Sequence, residues 1–328
     1  MNHLLILISF IIPFLSLLIS KRLYLLDHPN FEIKFQKNPI PYVGGLSTIL
    51  ISILYLISNG LNLNVILITL ISILGLLDDK FNINPFIRLS AEFAISFLLV
   101  INIIPNSSFI LIFFLTFLGA TLINAFNFID IKDGLVTSYG FIILIYFINL
   151  PYNFDSFINY IVYFLCCLLS IYWLNSEPAK AYQGDGGSYS IAAVTFTSFL
   201  YSLSNIGQSF DKNLLPPSNF YSTIPYNTNF IVFLTLVITL FPALYEILFT
   251  VYQRVSKNKS PFRASNDHIA IRLSNLGYSS YKISVIFMLL PSFSILLLII
   301  NLGKVNLMSV YLLFIFLLVF CYKFLRRL

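Results

Sequence analysis

The chain has 328 residues, 58% of them hydrophobic and 10% charged, with a formal net charge of +6 and a mean hydropathy of +0.89. A soluble domain carries about 25% charged residues, so this composition excludes a large water-soluble core and leaves an integral membrane protein. The apolar runs are long, continuous and free of period-two alternation, which excludes a β-barrel and gives an all-α, polytopic fold.

In chain order, Leu4–Ser20 is the first apolar run, with no Lys or Arg before it and Lys21 and Arg22 after it. A secretory leader has the reverse charge order, so this run is expected to span with its N-terminus outside. Further spans are expected at about 43–58, 64–77, 86–104, 109–123, 135–150, 157–173, 188–204, 229–252, 283–301 and 306–322, about eleven in all. With that start, every Lys and Arg except Lys212 and Lys304 lies in an inward loop. Such asymmetry marks the cytoplasmic face, and one span too many or too few would scramble it. Cys166, Cys167 and Cys321 lie in apolar runs without metal-ligand spacing. The outward segment 205–228 carries Pro216-Pro217 and no recognisable chemistry.

The polar islands, at 21–42, 78–88, 124–134, 174–188 and 253–282, all fall on the inner face. Asp78-Asp79 closes the third span, where adjacent carboxylates repel unless a cation or an acid–base task accounts for them. Lys80 offers the plainer account, a partly neutralised helix end. Asn124, Asn127, Asp130 and Asp133 recur at i, i+3 steps. If the helix continues, they form one stripe of oxygen-bearing groups, suited to a hydrated divalent cation or to sugar and uridine hydroxyls. Gly184-Asp185-Gly186-Gly187-Ser188 combines an unscreened carboxylate with glycines whose N–H groups could approach a phosphate, and Ser188 could cap the next span. His268 and Arg272 are four apart and, with Arg263, could grip a pyrophosphate. Glu92 and Glu246 are acids within or near spans, Glu92 one turn after Arg88 and Glu246 within reach of Arg254 or of the site.

Taken in this order, the islands resemble the polyprenyl-phosphate N-acetylhexosamine-1-phosphate transferases (glycosyl transferase family 4). The likeness runs through Asp27-His-Pro-Asn to Gly44-Gly45-Leu46, then Gly75-Leu-Leu-Asp78-Asp79, and then Asn124-x-x-Asn127-x-x-Asp130-x-x-Asp133-Gly134-Leu135. It continues through Asn175-x-x-Pro178-Ala-Lys180 into Gly184-Asp185-x-Gly187-Ser188, and through Ser260-Pro-Phe to His268-x-x-x-Arg272-Leu273. Departures from the family pattern are Tyr42 where an Arg is displaced, Ile131 for a Gly, and Ala264 and Ser265 where Asp is usual. A single His268 stands with Ala270 and Ile271 in place of a His run.

The resemblance implies a single polytopic transmembrane catalytic domain over 1–328 in a bacterial inner membrane, N-terminus periplasmic and C-terminus cytoplasmic. It implies transfer of a sugar-1-phosphate from a UDP-N-acetylamino sugar to undecaprenyl phosphate with release of UMP, initiating O-antigen, capsule or another envelope glycan. Mg2+, with Mn2+ as a substitute, would be the cofactor, and a homodimer is compatible with it. Asp185 would be the metal ligand and Asp78 and Asp79 would handle the lipid phosphate. Asn124, Asn127, Asp130 and Asp133 would line the nucleotide-sugar pocket, with His268, Arg272 and Lys180 at phosphate or sugar. A membrane transporter using Glu92 and Glu246 is the rival from another class, but a transporter gathers its polar residues near the midplane. A prenyl-transferring enzyme with two Asp-rich motifs would want another Asp where Phe81-Asn82 stand.

Overall fold

A computed structural model describes residues 3–29, 38–152, 154, 157–211, 226–258, 260, 267–302, 309, 311–313, 315–317 and 319. Its helices are α1 (His3–Arg22), α2 (Gly44–Asn59), α3 (Leu63–Phe81), α4 (Pro85–Ile103), α5 (Phe109–Ile129) and α6 (Leu135–Ile148). They continue with α7 (Phe157–Asn175), α8 (Gly184–Asp211), α9 (Tyr226–Ser256), the short α10 (Ile269–Asn275) and α11 (Ser280–Leu302). Strands β1 (Leu26–Asp27) and β2 (Ile40–Pro41) pair antiparallel, Leu26 opposite Pro41. The first ten expected spans fall on α1 to α9 and α11. Of the last, at 306–322, the described residues are helical and the others lie outside the described set, as do Arg263 and most of the outward segment 205–228.

The fold is an all-α, polytopic membrane fold. Among the described residues six helices, α1, α4, α5, α7, α9 and α11, are long and apolar enough to cross a membrane. Local sequence sets where they begin and end. The Asn62 side chain accepts from the N–H groups of Asn64 and Val65 at the start of α3, and Asn84 does the same for Phe86 at α4, with Pro85 in the first turn. Asn82 adopts a left-handed conformation (φ 49°) that ends α3, so three residues reverse the chain into α4.

Inside and outside follow from which helices are apolar all round. All 14 residues of α6 are buried, and α7 is buried along most of its length. Leu7, Phe113, Leu248 and Leu296, on α1, α5, α9 and α11, point outward. Lipid is as apolar as Leu, so helices associate through close backbone approach and interhelical hydrogen bonds. Both devices are present. A Cβ at Gly75 would stand 2.5 Å from Gly186 Cα, and one at Gly44 would stand 2.6 Å from Gly187 Cα, so α2, α3 and α8 meet backbone to backbone. Ser52 and Tyr160 share a hydrogen bond of 2.9 Å, and Ser72 and Ser190 one of 2.7 Å.

The expected four-residue stripe is only half helical. α5 stops at Ile129, Asp130 occupies its C-cap, and Gly134 (φ 75°) starts α6. The Asn175 Oδ1, buried at the end of α7, accepts from Gly134 N (3.0 Å) and Thr137 Oγ1 (3.2 Å), and this holds the turn closed.

Candidate active site

The end of α3, the start of α8 and the end of α5 bring Asp78, Asp79, Asp185 and Asn127 together. Asp79 Oδ1 accepts from Asp185 N at 2.9 Å, and its Oδ2 accepts from Gly186 N at 3.2 Å. This carboxylate therefore caps α8 from another helix, where the partial positive charge of a helix N-terminus favours an anion. Two earlier expectations are corrected by the same bonds. The glycine-turn amides of Asp185 and Gly186 are already used by Asp79, and the glycines serve the close approach of α8 to α2 and α3. Ser188, four residues inside the helix, does not cap it and donates to the Asp185 carbonyl at 3.2 Å.

Asp78 is held by a different set of partners. Its Oδ1 accepts from Ile83 N (2.8 Å), and its Oδ2 accepts from Arg88 Nη1 (2.8 Å) and from the Tyr189 hydroxyl (3.3 Å). Arg88 Nε lies 3.5 Å from Glu92 Oε1, and Asn124 Nδ2 donates to Glu92 Oε2. Glu92, fully buried, thus belongs to a chain running Asp78–Arg88–Glu92–Asn124 that links α3, α4 and α5. Arg88 entered the sequence reading only as the partner of Glu92. Its place beside Asp78 follows from the three-residue turn between α3 and α4, which was legible as Asn82-Ile-Asn84-Pro85.

Asp185 Oδ1 accepts from Asn127 Nδ2 at 2.7 Å, and burial and then the charge of Asp78 raise the Asp185 carboxyl to about 6. Burial, with Asp185 and Asp133 nearby, holds the Asp130 carboxyl well above its usual 3.8. Asp133 turns the other way, its Oδ2 accepting from Ala179 N at 3.2 Å. Lys180 is exposed, and its backbone N–H bonds to the Leu174 carbonyl at 2.7 Å.

The first loop closes one side. Tyr182 N donates to the Pro41 carbonyl (2.9 Å), Val43 N to Tyr182 O (2.9 Å) and Gly44 N to Gln183 O (3.1 Å). The Tyr42 hydroxyl donates to Asp27 at 2.5 Å. Burial and then Asp27 and Asp79 raise the Tyr42 phenol above its ordinary value. Tyr42, noted in the sequence only as a departure, is thus a wall of the site.

On the α9 side, His268 is buried between the Glu246 carboxylate and the Arg254 guanidinium, and its ring meets Phe128 of α5 edge-on at 5.2 Å. Arg272 does not share its partners. It bonds Gln253 Oε1 at 3.0 Å and lies over the Phe249 ring. The pair is therefore split, because His268 caps α10 while Arg272 lies along α9.

Among the described residues no group of three or more His, Cys, Asp or Glu side chains is set to hold a metal ion. Mg2+ ordinarily takes one or two carboxylates and leaves the remaining positions to water and substrate phosphates. The oxygen-only donor set of Asp185, Asp78, Asp130 and Asn127 fits that chemistry.

Residues 61–203, from the turn before α3 into α8, match the model of glycosyl transferase family 4. The chain is similar to the phospho-N-acetylmuramoyl-pentapeptide-transferase of Dictyoglomus turgidum, 28% identical over 53% of this chain and 62% of that one. It is similar to the protein of the same name from Dictyoglomus thermophilum, 26% identical over 53% of this chain and 61% of that one. To the one from Deinococcus radiodurans it is 38% identical over 27% of each chain. The match thus spans about three fifths of the length of the first two relatives. The stretch that matches the model of glycosyl transferase family 4 is the one that carries Asp78, Asp79, Asn127 and Asp185 and the bonds that Asp185 makes to Asp79 and Asn127.

Proposed function

We propose that the chain transfers a sugar-1-phosphate from a UDP-N-acetylamino sugar to undecaprenyl phosphate at the inner face of a bacterial membrane. An oxygen of the lipid phosphate forms a bond to the β-phosphorus, the bond from that phosphorus to the bridging oxygen breaks, and UMP leaves with the electron pair. Such chemistry is mostly positioning and charge neutralisation. The observation that carries the reading is the meeting of Asp78, Asp79 and Asp185 at the mouths of α3 and α8, inside the family-matched stretch.

Each residue has a task in this reading. Arg88, ion-paired with Asp78, draws the lipid phosphate to the end of α3, and Asp78 orients it or takes its proton. Asp79 keeps the first turn of α8 in place. Asn127 fixes one oxygen of Asp185, the residue that would hold Mg2+ with Asp130 alongside. When bound, the ion neutralises diphosphate charge. Asn124 and Asp133 brace the pocket wall through Glu92 and Ala179, and Lys180 lies exposed at its rim.

The relatives are named for a muramoyl-pentapeptide substrate. We read this chain toward a sugar without a peptide, of the O-antigen or capsule type. Ala270 and Ile271 replace the usual His residues, and Ala270 is 1% exposed, so no imidazole fits there without displacing its neighbours. Purified protein incubated with undecaprenyl phosphate and a panel of radiolabelled UDP-sugars tests both statements. Lipid-linked product and UMP from a UDP-N-acetylamino sugar are expected. Efficient turnover of UDP-N-acetylmuramoyl-pentapeptide would overturn the specificity, and no product from any donor would overturn the reaction.

A further inference from the structure

The acidic groups of the site lie on α3, α5 and α8, and the substrate of the proposed reaction is an anion. A positive charge is needed opposite them, and His268 does not supply it. Arg254 Nη2 stands 3.2 Å from His268 Nε2. A guanidinium has donors only, so Nε2 must be the acceptor and carries no proton. His268 Nδ1 stands 3.1 Å from Glu246 Oε1 and must be the N–H that donates to it. The imidazole is therefore neutral, with one tautomer fixed by its two neighbours.

Those neighbours are themselves held. Glu246 Oε1 also accepts from Ile269 N and from Thr250 Oγ1, both at 3.2 Å, so the carboxylate is anchored to α9 and to the start of α10. The Arg254 guanidinium lies 4.9 Å from the centre of the Phe128 ring, an arrangement that favours a cation over the ring face. Phe128 follows Asn127, the residue bonded to Asp185. The end of α5 thus separates an acidic wall from a guanidinium withdrawn from water, which keeps its charge on burial.

We propose that Glu246 is a positioning residue which, through neutral His268, fixes the Arg254 guanidinium as the positive charge facing the diphosphate of the nucleotide sugar. This rests on the nucleotide-sugar reading above for its ligand. The relay itself concerns any anion of that chemistry.

The test uses the full chain purified in detergent. Binding of UDP and of inorganic pyrophosphate is measured by calorimetry, with thermal unfolding of each variant as the folding control. Imidazole 15N shifts are recorded as well, since only His3 and His28 accompany His268. At neutral pH the wild type is expected to carry the His268 proton on Nδ1. Arg254→Ala is expected to weaken both ligands about tenfold or more, the size of one charge-assisted hydrogen bond. Arg254→Lys should recover part of that loss. Glu246→Ala, which removes the acceptor for Nδ1, should weaken both ligands, and His268→Gln, which keeps an acceptor for Arg254, should bind better than His268→Ala. Arg254→Ala binding UDP as the wild type does would sink the relay and leave the transferase reading intact. So would a wild-type His268 protonated on Nε2. Arg254-dependent binding of pyrophosphate without binding of UDP would uphold the relay and remove the nucleotide-sugar ligand. Wild type that binds neither would overturn both.

Discussion

At the scale of single residues, the site separates carboxylates that look alike in the sequence. Asn127 holds one oxygen of Asp185. If Asp185 neutralises the transferring diphosphate through Mg2+, Asp185→Asn should lose roughly 100-fold or more in turnover at saturating substrates. Turnover measured against Mg2+ concentration checks this, and a variant near wild-type activity would remove Asp185 from the role. Asp130 makes a prediction about stability. Its folded carboxyl is held above the usual 3.8, so the native state binds the proton more tightly and loses stability as pH rises above the ordinary carboxylate range. Asp130→Asn should therefore raise the melting temperature at neutral pH, and the gain should vanish at acid pH below that range. A melting series in detergent across pH reads the sign directly. None of these distinctions was legible in the sequence, because each depends on which helix supplies the neighbour.

At the scale of elements, most of what the sequence offered was correct about existence and incomplete about ends. The apolar runs gave α1 to α9 and α11 because helices in lipid must satisfy their own backbone, and length and hydropathy report that directly. The i, i+3 stripe failed at Asp130 because Gly134 and Asn175 impose a turn that spacing alone does not reveal. The Gly-Asp-Gly-Gly island suggested a phosphate cradle. Its amides are instead met by Asp79 and its open faces by α2 and α3, a tertiary demand invisible in one segment. Gly75→Ala is the sharpest test of that packing. The added Cβ would lie 2.5 Å from Gly186, so α3 and α8 must part, at a cost of about 1–3 kcal/mol. A clear drop in melting temperature and in turnover is expected, since the same shift pulls Asp79 from the α8 amides. An unchanged melting temperature would mean that the two helices do not meet there.

At the scale of the whole molecule, the described parts of the polar islands meet at one end of the helices. Reporter fusions after Lys80, Gly134 and Lys257 should read the same compartment, and one after Gly60 the opposite one. Disagreement among the first three would break the single-face site. The bonds of residues 41–44 to Tyr182 and Gln183 join segments almost 140 positions apart. Those positions take on the order of ten seconds to be made by the ribosome at about 5–20 residues per second. Until α8 emerges, the N–H groups of Val43 and Gly44 lack the Tyr182 and Gln183 carbonyls that they bond, and Asp79 has no helix to cap. The mouth formed by α3 and α8 is therefore assembled late in biogenesis, and a nascent chain halted before Gly184 carries Asp79 without the helix whose amides it caps.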